Sequence, residues 1–173
     1  VKGLIEKMGG TIEVKSEEGI GSTFIIRIPF KLAPAPDTVK KTAAQMDISG
    51  LNLLLVEDNE LNAEIAETLL SDEGANLTVA EDGLQAVRMF QEKPEGYFDA
   101  ILMDIMMPVM DGITATKTIR SLKHPDAETI PIIAMTANAF AEDVQLAKNT
   151  GMNGHIAKPL DMNKLNDVLE NWL

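Results

Sequence analysis

Five short, largely apolar runs alternate with stretches of helical periodicity, and this alternation constrains the fold more than any other feature of the chain. The runs are Leu51–Val56, Asn76–Ala80, Phe98–Met103, Ile130–Met135 and His155–Ala157. Each has the length of a strand and is too short for a buried helix. Between them, apolar side chains recur at helical spacing. Asn59 can cap a helix carrying Leu61, Ile65, Ala66, Leu69 and Leu70, and Gly74 can end it. Gly83–Gln91 carries Leu84, Val87 and Phe90, and Ile113–Leu122 reads likewise. Ala141–Asn149 predicts a further helix, closed by Gly151. Asp161 can cap a last one with Leu165, Val168, Leu169 and Trp172 on one face. Strands that are apolar at nearly every position need helices on both faces. The pattern therefore predicts an α/β fold with a doubly wound, five-stranded parallel sheet.

Reactive groups of such sheets collect beyond the carboxyl ends of the strands. The first run leads into Glu57-Asp58, the third into Asp104, the fourth into Thr136 and the fifth into Lys158-Pro159. Each residue also has a plain reading. Glu57 and Asp58 suit the positive end of the following helix. Thr136 suits any strand, and Lys158 suits any surface. Asp104 is harder to explain that way, because it stands in the apolar sequence Ile101-Leu-Met-Asp-Ile-Met-Met-Pro108. A buried carboxylate without a partner there would be costly.

The joint placement suggests one chemistry. Clustered carboxylates repel and call for a cation. Mg²⁺ takes oxygen ligands and keeps several waters. An aspartate beside it can act as a nucleophile toward a phosphoryl group. An ammonium and a hydroxyl complete the charge neutralisation and hydrogen bonding that phosphoryl transfer needs.

Composition narrows the partners. Of 173 residues, 15 are Lys or Arg and 27 are Asp or Glu, for a net charge of -12. That argues against nucleic acid or an anionic membrane as the main partner. Zero cysteines exclude disulfides, thiolate metal sites and a cysteine nucleophile. Residues 1–50 hold seven basic and six acidic residues, whereas 51–173 hold eight and twenty-one. The boundary falls in 31–50, where Ala33-Pro-Ala-Pro36 predicts an extended linker. The chain opens on Val1 without a basic-then-apolar leader, so it is expected to be part of a longer protein.

Leu54-Leu-Val-Glu-Asp-Asn-Glu60, Met103-Asp-Ile-Met-Met-Pro-Val-Met-Asp-Gly112, Ala134-Met-Thr-Ala137 and Ala157-Lys-Pro-Leu160 together resemble the motifs of two-component receiver domains. The resemblance covers residues 51–173 and implies a flavodoxin-like sheet of order 2-1-3-4-5. It implies that Asp104 is the phosphoacceptor, that Asp58 binds Mg²⁺ directly, and that Glu57 binds it through water. The Met106 backbone carbonyl would complete the protein ligands, and Lys158 would contact the phosphoryl group. Thr136 would close onto that group as a switch. His155 stands where the family often has Tyr or Phe, a second switch position. Met106 and Asn138 occupy positions that tune dephosphorylation in the family.

Residues 1–30 are similar to something else. Val1-Lys-Gly-Leu-Ile-Glu-Lys-Met-Gly-Gly10 and Glu18-Gly-Ile-Gly-Ser-Thr-Phe24 resemble the tail of a histidine-kinase ATP-binding domain. The residues themselves predict a helix ending at Gly9-Gly10, then strands Thr11–Lys15 and Ser22–Phe30. Upstream nucleotide-binding boxes are missing, so no ATP binding is expected of this fragment.

The resemblance thus implies the C-terminal receiver of a hybrid sensor histidine kinase. Its partners would be the phosphohistidine of the parent kinase and the histidine of a phosphotransfer domain. A homodimer is the further expected association, and direct membrane contact is not expected. The module would face the cytoplasm, beneath a parent that can be membrane-anchored. Two other functions stay open: a degenerate receiver that only binds partners, and an Asp-nucleophile phosphohydrolase. The second lacks an acidic side chain at Met106 to serve as general acid. The face after the fourth strand, Asn138–Asn149, is the expected docking surface for the receiver and the degenerate receiver alike.

Overall fold

Parallel strands need crossovers, and the helical stretches between the apolar runs supply them. A computed structural model describes residues 2–17, 19, 21–29, 46–137, 147 and 149–173. The chain divides into two compact units, residues 1–43 and 44–173. Most of the expected linker (31–45), Asn138 and most of the expected helix Ala141–Asn149 lie outside the described residues.

In the first unit, helix α1 (Lys2–Lys7) precedes an antiparallel hairpin of β1 (Thr11–Glu17) and β2 (Gly21–Arg27). Ile5 is buried, and Arg27 pairs with Glu13 at 2.9 Å. Cross-strand pairing sets Val14 opposite Phe24, and both side chains are exposed.

The second unit holds β3 (Asn52–Val56), α2 (Glu60–Asp72), β4 (Asn76–Ala80) and α3 (Gly83–Glu92). β5 (Ala100–Asp104), α4 (Gly112–Ser121), β6 (Ile132–Thr136), β7 (Gly154–Ala157) and α5 (Met162–Leu169) follow. The sheet order is β4-β3-β5-β6-β7, all parallel, which is 2-1-3-4-5 counted within the sheet. Alternate strand residues point to opposite faces. Leu54, Val56, Ile101, Met103, Ile132 and Ala134 pack with Phe90 of α3 and Ile119 of α4. Leu53, Leu55, Leu102, Ile133 and Ile156 pack with Leu70 of α2 and Leu165 and Leu169 of α5. Each such fully buried aliphatic side chain contributes about 1.5–3 kcal/mol over an exposed one.

Caps follow the expected chemistry. Asn59 Oδ1 accepts the Asn62 N–H at 3.0 Å, and Asp161 Oδ1 accepts that of Asn163 at 3.0 Å. Gly74, at φ +90, turns the chain out of α2 in a conformation that side chains resist.

Three expectations are corrected. Leu61 and Ile65 are exposed rather than packed inward, and Ala63, Ala66 and Leu70 take the buried face of α2. α5 stops at Leu169, leaving Trp172 about half exposed. β5 and β6 start two residues later than Phe98 and Ile130 and run through Asp104 and Thr136. Pro131 explains the later start of β6: its carbonyl accepts the Ile101 N–H, but its nitrogen has no hydrogen to donate. The hairpin strands likewise run Thr11–Glu17 and Gly21–Arg27. Among the described residues, no helix is long and apolar enough to cross a membrane.

Candidate functional site

The ladder brings the strand ends level. Asp104 pairs with Met135, and Thr136 pairs with Ala157. Just past the ends, Glu57 N–H donates to Ala80 O at 3.0 Å and Lys158 N–H donates to Thr136 O at 2.8 Å. Backbone bonding thus holds Glu57 and Lys158 in extended register one residue beyond their strands. Their side chains turn toward the same edge.

Glu57, Asp58 and Asp104 each present a carboxylate oxygen, all lying within 4.8 Å of one another. Glu57 and Asp104 are buried at 4% and 6% exposure, whereas Asp58 is open to solvent. The Lys158 ammonium joins the two buried carboxylates. It donates to Asp104 Oδ2 at 2.6 Å and to Glu57 Oε2. Burial alone would push the Lys158 pKa down. The hydrogen bonds and charges of Asp104 and Glu57 outweigh it and hold the ammonium above the ordinary lysine range.

Each carboxylate has a second anchor. Glu57 Oε1 accepts from Asn62 Nδ2 at 3.0 Å, and Asp104 Oδ1 accepts the Met106 N–H at 3.1 Å. Asn62 had no part in the expected site, although its place on the first turn of α2 beside Asn59 was the signal for it. Thr136 is 4% exposed and its Oγ1 has no hydrogen-bond partner among the described residues. A buried hydroxyl without a partner is uncommon and calls for an explanation. Thr136 lines a cleft of about 530 Å³ together with Asp58, Asp104, Met106 and Lys158.

Asp104, Asp58, Glu57, Lys158, Thr136 and Met106 therefore converge as expected. Met106 is 80% exposed, and its backbone N–H meets Asp104 Oδ1 at the cleft. His155 does not line the cleft. It sits half-buried on the outer strand β7, opposite Ala134.

The donor set has a definite chemistry. Three hard oxygen ligands on one solvated edge suit a small divalent cation that retains water, and suit softer metals poorly. An ammonium and a hydroxyl beside that position are donors that suit an incoming oxyanion such as a phosphoryl group.

Comparisons with known proteins point the same way. The family model for the response regulator receiver domain matches residues 53–170. Among curated relatives, the aerobic respiration control sensor protein ArcB of Escherichia coli is 36% identical over 171 residues. That alignment spans 98% of this chain and 21% of ArcB. The sensor histidine kinase AruS of Pseudomonas aeruginosa is 36% identical over 168 residues, which are 97% of this chain and 16% of AruS. The chain thus spans about a fifth of the length of the curated relatives it matches. Among solved structures, the receiver domain of the sensor histidine kinase PA1611 from Pseudomonas aeruginosa has a TM-score of 0.63 at 40% identity. It covers 72% of this chain and 98% of its own, and it holds a magnesium ion coordinated in its active-site cleft. The Saccharomyces cerevisiae receiver domain of Ssk1, solved with the histidine phosphotransfer protein Ypd1, has a TM-score of 0.62 at 28% identity. It covers 72% of this chain and 90% of its own.

Proposed function

This chain belongs to the response regulator receiver family, and from that premise we propose that it is the phosphoryl-accepting module of a hybrid histidine kinase. The observation that carries the reading is the shared ammonium of Lys158, which joins Asp104 to Glu57 at the sheet edge where Asp58 also stands. Asp104 is the nucleophile. Its carboxylate oxygen bonds to the phosphorus of a phosphohistidine, and the phosphorus–nitrogen bond breaks. The imidazole, protonated on its other nitrogen, leaves neutral. Lys158 stays charged through this step and follows the new phosphoryl oxygens. Thr136 donates a hydrogen bond from its hydroxyl to one of them, which accounts for a buried hydroxyl that has no partner among the described residues.

Asp58 and Asp104 would hold Mg²⁺ directly, Glu57 through a water, and the Met106 carbonyl would complete the protein ligands. When bound, Mg²⁺ neutralises the carboxylates and the phosphoryl oxygens, as the chemistry of the donor set requires. The phosphoryl group then passes to the histidine of a phosphotransfer domain or to water. The receiver complexed with a phosphotransfer protein supports that partner.

Residues 1–30 are assigned to the tail of the kinase's ATP-binding domain, 31–50 to a linker and 51–173 to the receiver. The support is that relatives named as sensor kinases align over nearly the whole chain, hairpin included. The module is assigned to the cytoplasm, where ATP charges the donor histidine. The test is intact mass after exposure to acetyl phosphate, with and without Mg²⁺, beside Asp104→Asn. A Mg²⁺-dependent gain of one phosphoryl group, lost in the variant, is expected. A gain that survives Asp104→Asn would move the nucleophile elsewhere.

A further inference from the structure

The loop after β5 presents the Met106 backbone to the cleft, and two glycines from outside the loop hold it. At its base, the Gly112 N–H donates to Ile105 O at 3.0 Å, and the Gly112 Cα lies against the Asp104 carbonyl with no room for a side chain. At its far end, the Gly83 N–H donates to Met110 O at 3.1 Å. A Cβ on Gly83 would stand 2.6 Å from that same oxygen and 2.8 Å from Ala115 Cβ. Between these anchors the loop is wound tight. The Met110 N–H donates to Pro108 O at 2.7 Å around Val109, which sits at φ +63. A β-branched residue rarely adopts that conformation, so the loop has little torsional slack.

Gly83 is the first residue of α3 and has no positive φ. Its torsions would suit alanine, which favours helices more than glycine does. Space, not conformation, therefore demands glycine here. The obstacle is a backbone carbonyl, which cannot swing aside as a flexible side chain would.

We propose that Gly83 is a positioning residue for the metal site: the close seat of its backbone under the Met110 carbonyl sets where the Ile105–Met110 loop stands relative to Asp104. This rests on the metal site assigned under the proposed function. Gly83 touches none of the proposed ligands, so it acts only through the loop. A side chain there pushes Met110 outward. The loop pivots on its Gly112 base, and the Met106 backbone shifts against the Asp104 carboxylate that accepts its N–H.

The experiment uses the full chain, isotope-labelled, with Gly83→Ala and with the pair Gly83→Ala and Ala115→Gly. The paired change removes the side-chain clash and keeps the carbonyl one. In EDTA, both variants are expected to displace the Met106 and Asp104 amide resonances while those of α5 and β7 stay in place. Titration with Mg²⁺ is expected to show affinity weakened about tenfold, the usual cost of disturbing a group that supports a metal ligand. A merely structural role would lower the unfolding midpoint and leave both readouts unmoved. Amides that return to their unmodified positions in the paired variant, or a Mg²⁺ affinity within twofold of the original, would overturn the proposal. If Gly83→Ala alone fails to fold, the paired variant carries the test. If the unmodified chain binds no Mg²⁺, the assigned metal site falls, while the metal-free amide positions still decide the role of Gly83.

Discussion

Lys158 Nζ lies 2.6 Å from Asp104 Oδ2, and the same ammonium reaches Glu57, so one cation serves two buried carboxylates. Removing it leaves both acids buried without a counter-charge. Breaking a buried ion pair from one side costs about 3–5 kcal/mol. Lys158 is partly open to solvent, so the low end of that range applies. Lys158→Met should therefore lose about 3 kcal/mol in urea unfolding with EDTA present. Part of the loss should return with Mg²⁺, because a divalent cation can take over the neutralisation. A variant as stable as the original in EDTA would show that the shared ammonium contributes no net stability.

Thr136 gives the opposite expectation. Its Oγ1 has no partner among the described residues, which leaves the cost of burying the hydroxyl without a compensating bond there. Thr136→Val should leave stability unchanged within about 0.5 kcal/mol or raise it. The same change should slow phosphoryl uptake from acetyl phosphate, because the donor to the phosphoryl oxygen is gone. Clear destabilisation in metal-free buffer would mean that the hydroxyl already has a structural partner.

Strand ends were the most legible part of the sequence. Apolar runs of strand length leave few choices of register, so Asp104, Thr136 and Lys158 were locatable from their neighbours alone. Helix faces were less legible. Leu61, Ile65, Leu69 and Leu70 all satisfy helical spacing with Ala66, and only the packing against β3 and β4 shows that Ala63, Ala66 and Leu70 face inward. Two of those three inward residues are alanines, and alanine gives little signal in a hydropathy pattern. The seat of Gly83 was invisible for a related reason: glycine at a helix start reads as a cap or turn until the facing carbonyl is seen. Arg120 was hidden too. Its guanidinium donates to the carbonyls of Ala127, Ile130 and Gly151 and to Asn153 Oδ1, and no local pattern announces such a node.

The outward turn of Leu61 and Ile65 bears on partner recognition. Ile65 also lines a small apolar recess with Pro159 and Leu160, next to Lys158. Glu60, Glu64 and Glu67 line the neighbouring cleft on the same helix. Under the proposed function, a phosphotransfer domain that takes the phosphoryl group should meet this helix with an apolar patch flanked by basic residues. Paired Leu61→Ser and Ile65→Ser should leave stability within about 0.5 kcal/mol, as exposed positions do. Transfer between Asp104 and the partner histidine should fall by about tenfold or more, the loss of roughly 1.4 kcal/mol of docking energy. Uptake from acetyl phosphate should not change. Equal losses with both donors would place the effect in the site itself rather than in docking.

Asp111 makes the pH dependence testable away from the metal cluster. It caps α4, accepting the Thr114 N–H on Oδ1 at 2.7 Å and the Thr114 hydroxyl on Oδ2 at 3.0 Å. The Thr114 N–H chiefly holds its carboxyl below the usual aspartate range, against the pull of partial burial, with the Thr114 hydroxyl and the Ile113 N–H assisting. A native pKa below the unfolded one means that the folded state favours the charged form. The stabilisation is then fully present above the unfolded value, near pH 4, and is lost as pH falls through the lower native value. Asp111→Ala should cost about 1 kcal/mol at pH 7, as loss of a cap does. Urea midpoints of the two proteins, compared at pH 7, 5 and 3, should differ equally at the first two and by less at the third. A gap that stays constant down to pH 3 would mean that the neutral carboxyl caps as well as the carboxylate, and that the charge of Asp111 does not hold the start of α4.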